Sequence, residues 1–150
     1  MTRGYFGIGI YHAKKEVNLG TLWRSAYQLG AAFIFTIGDR YHKQHSDTTA
    51  AYRHIPLHSY ASWEAFESAR VYDCPLIGIE MGGQGLNTFK HPERAIYLLG
   101  AEDNGLPPEI QARCQFVVAL DAVRIASYNV STAGAIVMYD RMNKAKAVQA

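Results

Sequence analysis

The sequence has few cysteines, the residues that form disulfides and many zinc sites. It contains 2 cysteines among 150 residues, and Cys74 and Cys114 lie far apart with no CxxC arrangement. This count and spacing argue against both a disulfide framework and a zinc site.

Long apolar runs are also missing. No run approaches the about 20 residues that a helix needs to span a bilayer. Residues 1–5 carry neither the basic segment nor the apolar segment of a secretory signal. We therefore expect a cytoplasmic protein with no membrane partner.

Neither sign of charge dominates the sequence. There are 15 lysines and arginines against 13 aspartates and glutamates, and the formal net charge of +2 is too small to indicate a nucleic-acid partner by itself. The composition is 49% hydrophobic and 19% charged, as in soluble globular proteins. Residues 1–150 are expected to form a single domain that is long enough to bury a core.

Short apolar runs that alternate with helical periodicity predict an α/β domain. Such an alternation of strands and helices indicates a mostly parallel sheet flanked by helices. The predicted strands cover residues 6–11, 33–37, 75–80, 95–99 and 116–120.

The helices are predicted from capping residues and apolar spacing. One helix begins at a cap on Asn18 and runs to about Leu29, where Gly30 ends it. A second follows a cap at Ser59 or Ser62. The remaining two begin with a proline at 107 or 108 and with a hydroxyl cap at Ser131 or Thr132.

Two polar segments invite a binding hypothesis and give weak signals. Residues 81–85 hold three glycines but no GxGxxG, so a plain turn is predicted there. The loop 40–47 begins a histidine-rich stretch whose spacing fits no standard metal motif, so solvated or RNA-facing histidines are expected. These histidines are His42, His45, His54 and His58.

Three loops leave the carboxyl ends of predicted strands and carry polar or glycine-rich sequence. They cover residues 79–85, 100–106 and 120–131. Ligands of open parallel sheets bind outside these ends, so the backbone of these loops could hold a nucleobase-like edge. Arg24 lies six residues after Asn18, roughly 600° around a helix, and spacing alone favours a surface arginine.

Three segments resemble the motifs of the SpoU branch of the SPOUT methyltransferases. Residues 18–26 are similar to motif 1, Asn-x-Gly-x-x-x-Arg-x-Ala, and residues 99–107 to motif 2, with its Gly-x-Glu-x-x-Gly-Leu core. Residues 127–133 resemble motif 3, Ser-Leu-Asn-Val-Ser-x-Ala, and the likeness extends over residues 18–141. The chain departs from the pattern at Tyr128, where leucine is usual, and at residues 119–121, where Ile-Pro-Met is common.

The resemblance implies an S-adenosyl-L-methionine-dependent RNA ribose 2′-O-methyltransferase that acts on transfer RNA. It also implies a C-terminal trefoil knot and a homodimer, neither of which composition or periodicity reveals. Two alternatives within the resemblance are a non-catalytic RNA-binding or cofactor-binding protein and an enzyme of ribosomal RNA. A small-molecule binder with a Rossmann-like sheet is a third hypothesis.

The resemblance assigns roles to particular residues. The expected catalytic residues are Arg24, Asn18, Ser127, Asn129 and Glu102. Because a guanidinium stays charged in proteins, Arg24 is expected to bind a phosphate or to stabilise a developing alkoxide rather than to act as a base. The expected cofactor-binding residues are Ile79, Glu80, Leu99, Gly100, Glu102, Gly105, Ala119, Leu120 and Ser127. A difference at Asp121 could alter how the cofactor is held.

We expect RNA to be held by the surface of the dimer itself, because we expect no additional RNA-binding domain in this sequence. Exposed cations and a histidine are the expected contacts to backbone phosphates. They are Arg3, Lys14, Lys15, Arg40, His42, Lys43 and Arg53.

Overall fold

The computed structural model describes residues 4–38, 54–124 and 126–149. The predicted loop 40–47 and several predicted RNA contacts lie outside the described residues. These contacts are Arg3, Arg40, His42, Lys43 and Arg53, and His45 lies outside as well.

Six strands form one sheet, and every pairing between them is parallel. The strand order is β3-β2-β1-β5-β4-β6, so the predicted α/β class and parallel sheet are confirmed. The strands are β1 (Tyr5–Tyr11), β2 (Phe33–Ile37), β3 (Leu57–Tyr60), β4 (Leu76–Gly85), β5 (Arg94–Leu99) and β6 (Phe116–Ala119).

Four helices cover the two faces of the sheet. They are α1 (Glu16–Leu29), α2 (Trp63–Ala69), α3 (Pro108–Gln111) and α4 (Val130–Gln149), with a 3₁₀ turn at Leu86–Thr88. α1 and α4 pack together on one face, where Gly134 gives the Leu22 side chain room to approach α4. A second apolar cluster, around Phe35 and Phe66, fills the side that carries α2 and α3.

Two of the predicted helix caps are wrong, and a third is confirmed. Asn18 lies inside α1, whose N-cap is Lys15, because the Asn18 side chain is turned toward other loops. Neither Ser131 nor Thr132 caps α4. Asn129 does so, and its Oδ1 accepts from the N–H groups of both residues over 3.0 and 3.2 Å.

Ser62 is the residue that caps α2, with its Oγ accepting from the Ala65 N–H over 3.1 Å. The alternative cap, Ser59, lies in β3. β3 was not predicted, because half of its four residues are exposed at the edge of the sheet and their apolar pattern is weak. Gly30 ends α1 in the left-handed conformation, as predicted.

The turn predicted at residues 81–85 is wrong. β4 continues through these residues to Gly85 and pairs with β6 again after an irregularity between Ile79 and Gln84. A side chain at Gly83 would collide with the backbone of Val117, so glycine lets the two strands lie close together there.

Within the part of the chain that the structure describes, no helix is long and apolar enough to cross a membrane.

Candidate functional site

A cleft of about 490 Å³ opens at the carboxyl ends of β4, β5 and β6. All three loops expected to carry a ligand contribute to it. The lining residues include Ile79, Glu80, Met81, Gly82, Leu99, Gly100, Ala101, Glu102, Asp103, Asn104, Gly105, Ala119, Leu120, Ala122, Val123, Arg124, Ala126, Ser127, Tyr128, Val130 and Ala133.

The structure brings the nine predicted cofactor-binding residues together around this one cleft. They are Ile79, Glu80, Leu99, Gly100, Glu102, Gly105, Ala119, Leu120 and Ser127. The ends of neighbouring strands lie side by side at the cleft, since Ile79 of β4 pairs with Leu99 of β5 and, on its other side, with Val118 of β6. The parallel sheet therefore explains why residues up to 48 positions apart meet at one place.

Glu80 ties the end of β4 to the loop that follows β5. Its carboxylate accepts from the Leu106 N–H over 2.7 Å and from the Met81 N–H over 2.9 Å. Gly105 has a φ of +62°, and a side chain there would occupy the space of the Glu80 carboxylate. Glycine is thus required at 105 both by backbone conformation and by close approach.

The loop after β5 folds back tightly on itself. The Gly105 N–H donates to the Ala101 carbonyl over 3.0 Å, and a side chain on Gly100 would meet the backbone of Gly105 and Leu106. The tightly turned loop forms one wall of the cleft.

A hydrogen-bonded network joins the three motif segments. The Asn18 Nδ2 donates to Glu102 Oε1 over 2.7 Å, and the Asn18 Oδ1 accepts from Asn129 Nδ2 over 3.0 Å. Asn18 is only 4% exposed. Its amide is therefore held with both ends partnered, and the amide orientation is determined by these two bonds.

Further contacts fix Glu102. The Lys14 N–H donates to Glu102 Oε2 over 3.3 Å, while the Lys14 ammonium pairs with Asp103 over 2.7 Å. Burial would raise the pKa of Glu102, but hydrogen bonds from Asn18 and from the backbone of residues 102, 14 and 15 lower it overall. Glu102 is thus an ionised acceptor at neutral pH.

Asn129 organises the start of α4. Besides capping the helix, its Oδ1 accepts from the Ser131 hydroxyl over 2.6 Å. The neighbouring Ser127 is exposed in the cleft, where its hydroxyl lies 3.7 Å from the sulfur of Met81. Tyr128 donates from its hydroxyl to the Asp121 carbonyl over 2.6 Å, which joins the two ends of the last loop.

Arg24 does not join this network. It lies on the exposed side of α1, and among the described residues it has no hydrogen-bond or ion-pair partner. The angular separation of Asn18 and Arg24 expected from their spacing is confirmed, since one is buried and the other exposed. Its guanidinium is therefore available to a ligand.

Metal-binding side chains are not gathered in the described residues, where no group of three histidines, cysteines or carboxylates forms a site. Cys74 and Cys114 are free thiols, and burial raises the pKa of Cys114 to about 11. A thiol with that pKa is a poor nucleophile at neutral pH.

A second polar cluster, which the sequence analysis missed, lies away from the cleft where α4 passes the segment before β5. His91 bonds the Tyr97 hydroxyl and Asp140, each over 2.7 Å. Arg141 donates to the carbonyls of residues 92 and 93 and to Tyr97. Lys144 donates to two further carbonyls and pairs with Asp140 over 2.8 Å. This cluster fastens α4 to the sheet.

Some residues of the cleft wall were not predicted individually. Met81, Asp103 and Arg124 lie within the three predicted loops but were not named as binding residues, and Ala133 lies beyond those loops. Their neighbours in sequence were predicted, so proximity along the chain was the available signal.

Sequence comparison identifies the family to which this α/β fold belongs. The profile of the SpoU rRNA Methylase family matches residues 6–139, so the chain belongs to that family. The resemblance noted from the three motifs is thereby confirmed. Comparison with curated protein sequences gives no significant match.

Solved structures share the fold at low sequence identity. A structure concerned with the 2-OH methylation of C/U34 on tRNA has a TM-score of 0.86 and 20% identity, with 97% of this chain and 99% of that chain covered. The SpoU methyltransferase AviRb from Streptomyces viridochromogenes gives a TM-score of 0.84 and 20% identity over 96% of this chain. An AdoMet-bound rRNA methyltransferase from Sinorhizobium meliloti gives 0.84 and 21% over 95%.

The length of the match differs among these structures. This chain spans 61% of the AviRb chain and 57% of the Sinorhizobium meliloti chain.

Proposed function

We propose that the protein is an S-adenosyl-L-methionine-dependent methyltransferase of RNA that modifies the ribose 2′-hydroxyl. One observation carries the proposal: Asn18, from one motif, is hydrogen-bonded to Glu102 and to Asn129, from the other two motifs, beside a single cleft. Family membership supports RNA methylation as the reaction. A small-molecule binder would have no need for an exposed arginine on the helix that these hydrogen bonds connect to the other two motif segments.

The residues around the cleft fit the proposed cofactor. Gly100 and Gly105 allow the tight loop that forms one wall, and the cleft offers both apolar strand ends and polar loop groups. Backbone groups on the loops after β4, β5 and β6 would hold the adenosine and methionine portions, with Ile79, Leu99 and Leu120 packing against them. When bound, S-adenosyl-L-methionine supplies the methyl group that is transferred to the ribose oxygen.

The protein's task is to align the ribose hydroxyl and to assist loss of its proton. Arg24 would bind an RNA phosphate or the developing alkoxide through its exposed guanidinium. Asn18 and Asn129 would act indirectly, by holding together the loops that position the ribose. Ser127 would orient the ribose from within the cleft.

Glu102 acts in this proposal by holding Asn18 in place. Its lowered pKa makes it a poor acceptor for the hydroxyl proton at neutral pH. A phosphate oxygen of the RNA, brought close by Arg24, is a better candidate for that proton.

Transfer RNA is the proposed substrate, and a homodimer the proposed assembly. The structure associated with tRNA methylation matches this chain over nearly the full length of both, which favours tRNA over ribosomal RNA. The trefoil knot and the cytoplasmic location stay predictions.

Incubation of bulk tRNA with S-adenosyl-L-methionine labelled in its methyl group tests the proposal. Wild-type protein is expected to transfer label to the RNA, and Arg24→Ala to transfer at least about 100-fold less. Equal labelling by the two proteins would remove Arg24 from the mechanism. Cofactor binding with no labelling of tRNA or ribosomal RNA would support the non-catalytic alternative.

A further inference from the structure

A histidine at the carboxyl end of the sheet is left without a role by the proposed mechanism. His12 follows directly after β1, which pairs with the cleft-lining strand β5. Ile10 of β1 pairs with Leu99, a cleft residue, and the Lys14 N–H bonds Glu102. In the sequence, His12 therefore lies between two residues, Ile10 and Lys14, whose backbones contact residues of the cleft.

The His12 backbone is in an unusual conformation. Its φ is +58°, one of only two positive values among the described non-glycine residues. Such a conformation is disfavoured for residues with a side chain and is concentrated at functional positions. The His12 N–H donates to the Ile37 carbonyl over 2.8 Å, which holds the turn in place.

The imidazole is fixed in position but remains exposed. It fills the space that a side chain on Gly38 would occupy, and its centroid lies 4.3 Å from that of Tyr11 at an interplanar angle of 64°. Within the described part of the chain, the His12 imidazole nitrogens have no hydrogen-bond partner, although the backbone N–H has one. A ring held this way can stack on a planar ligand at a small entropic cost.

A cation lies three residues further along the same turn. Lys15 is exposed, and its side chain makes no capping bond to α1. Unlike Lys14, which pairs with Asp103, its ammonium has no ion-pair partner among the described residues. An exposed aromatic ring and an exposed cation on one turn match a nucleobase and its phosphate, the combination that single-stranded RNA presents.

We propose that His12 and Lys15 form an RNA subsite beside the cleft, with an unpaired nucleobase stacked on His12 and its phosphate bound by Lys15. This inference rests on the proposed function. It assigns the base contact to His12, which none of the three motifs contains. Stacking gives affinity for any base, so the subsite adds affinity near the target ribose rather than a sequence code.

Affinity for bulk tRNA, measured by filter binding over a range of salt concentrations, tests the subsite without turnover. His12→Asn and His12→Gly remove the ring but tolerate the left-handed backbone, so both should fold. We expect each to bind tRNA at least about fivefold more weakly with an unchanged salt dependence, because stacking releases no counterions. Lys15→Gln is expected to weaken binding and to reduce the salt slope by about one.

Tyr72→Asn is the matched control. It removes a side chain that is 92% exposed in the segment before β4, at the amino ends of the strands and therefore opposite the cleft. This variant is expected to bind tRNA like wild type, and all variants to bind S-adenosyl-L-methionine equally.

Two results would overturn the subsite: wild-type tRNA affinity in both His12 variants, or a loss no larger than that of Tyr72→Asn. Failure of the proposed function looks different. In that case wild-type protein binds tRNA with the expected dependence on His12 but transfers no methyl group to it.

Discussion

The side-chain amide of Asn18 donates to the carboxylate of Glu102 over 2.7 Å, although 84 residues separate them in the sequence. This bond joins α1 to the loop after β5, and the second end of the same amide joins α1 to the start of α4 through Asn129. The arrangement at the cleft thus depends on one buried amide.

Replacing Asn18 by Asp keeps its shape but turns the donor toward Glu102 into a second carboxylate. We expect the free energy of unfolding to fall by about 1–3 kcal/mol, because a buried bond is lost and like charges face each other. Urea denaturation measures the change. Gln28→Glu makes the same chemical change at an exposed position of α1 and is expected to shift stability by less than about 0.5 kcal/mol. Equal stability of the two variants would show that the network contributes nothing.

Gly82 and Gly105, two glycines with left-handed backbones, both line the cleft and form a matched pair. A side chain on Gly105 would meet the Glu80 carboxylate, whereas a side chain on Gly82 would meet nothing within 4 Å. Gly82→Ala should therefore lower the free energy of unfolding only through backbone strain, by about 1 kcal/mol. Gly105→Ala is expected to lower the free energy of unfolding by more than Gly82→Ala does. It is also expected to weaken the binding of S-adenosyl-L-methionine, measured by calorimetry. Similar losses in both variants would argue against the Glu80 contact.

His91 predicts a pH dependence of stability. Burial lowers its pKa below the ordinary value of 6.5, and this outweighs the hydrogen bond and charge of Asp140, which act to raise it. The unfolded chain therefore binds a proton at His91 more readily than the folded chain does. The contribution of neutral His91 to the free energy of unfolding is fully present above pH 6.5 and is lost as pH falls below it.

Urea denaturation at pH 7 and pH 5 checks this effect. Wild type is expected to lose more stability over this interval than His91→Gln, which cannot titrate there. The same loss in both proteins would assign the pH dependence to other groups.

Arg24→Lys separates catalysis from folding. Arg24 is exposed and has no partner among the described residues, so we expect unfolding free energy to change by less than about 0.5 kcal/mol. Methyl transfer to bulk tRNA is expected to fall at least about 100-fold, because an ammonium cannot make the paired hydrogen bonds of a guanidinium. Arg113→Lys, at a position whose side chain is 63% exposed, serves as a control and should keep its activity. Wild-type initial rates for Arg24→Lys would contradict the proposed role.

Apolar runs predicted five of the six strands, since buried parallel strands are nearly continuous in hydrophobic residues. The edge strand β3 escaped because its sequence, Leu-His-Ser-Tyr, has no such run. The extension of β4 through glycine-rich residues escaped for a different reason. Glycine normally indicates a turn, and only the nearby backbone of Val117 shows why a strand requires it here.

The candidate site was predicted from the motifs, while the partners within it required the structure. The sequence assigned capping to Asn18 and to Ser131 or Thr132, because these residue types cap helices by local hydrogen bonds. In the fold the bonds of Asn18 go to residues more than 80 positions away, and Asn129 does the capping. The polar cluster around His91 also consists of distant pairs, which periodicity cannot reveal.

Identification of the methylated nucleoside tests whether the protein methylates the ribose 2′-hydroxyl of tRNA. Bulk tRNA would be incubated with wild-type protein and S-adenosyl-L-methionine, digested to nucleosides and measured by mass spectrometry, with Arg24→Ala as the control. A new 2′-O-methylated nucleoside is expected with wild type and none with Arg24→Ala. A methyl group on a base, or no new methylated nucleoside from a wild-type protein that binds the cofactor, would contradict it.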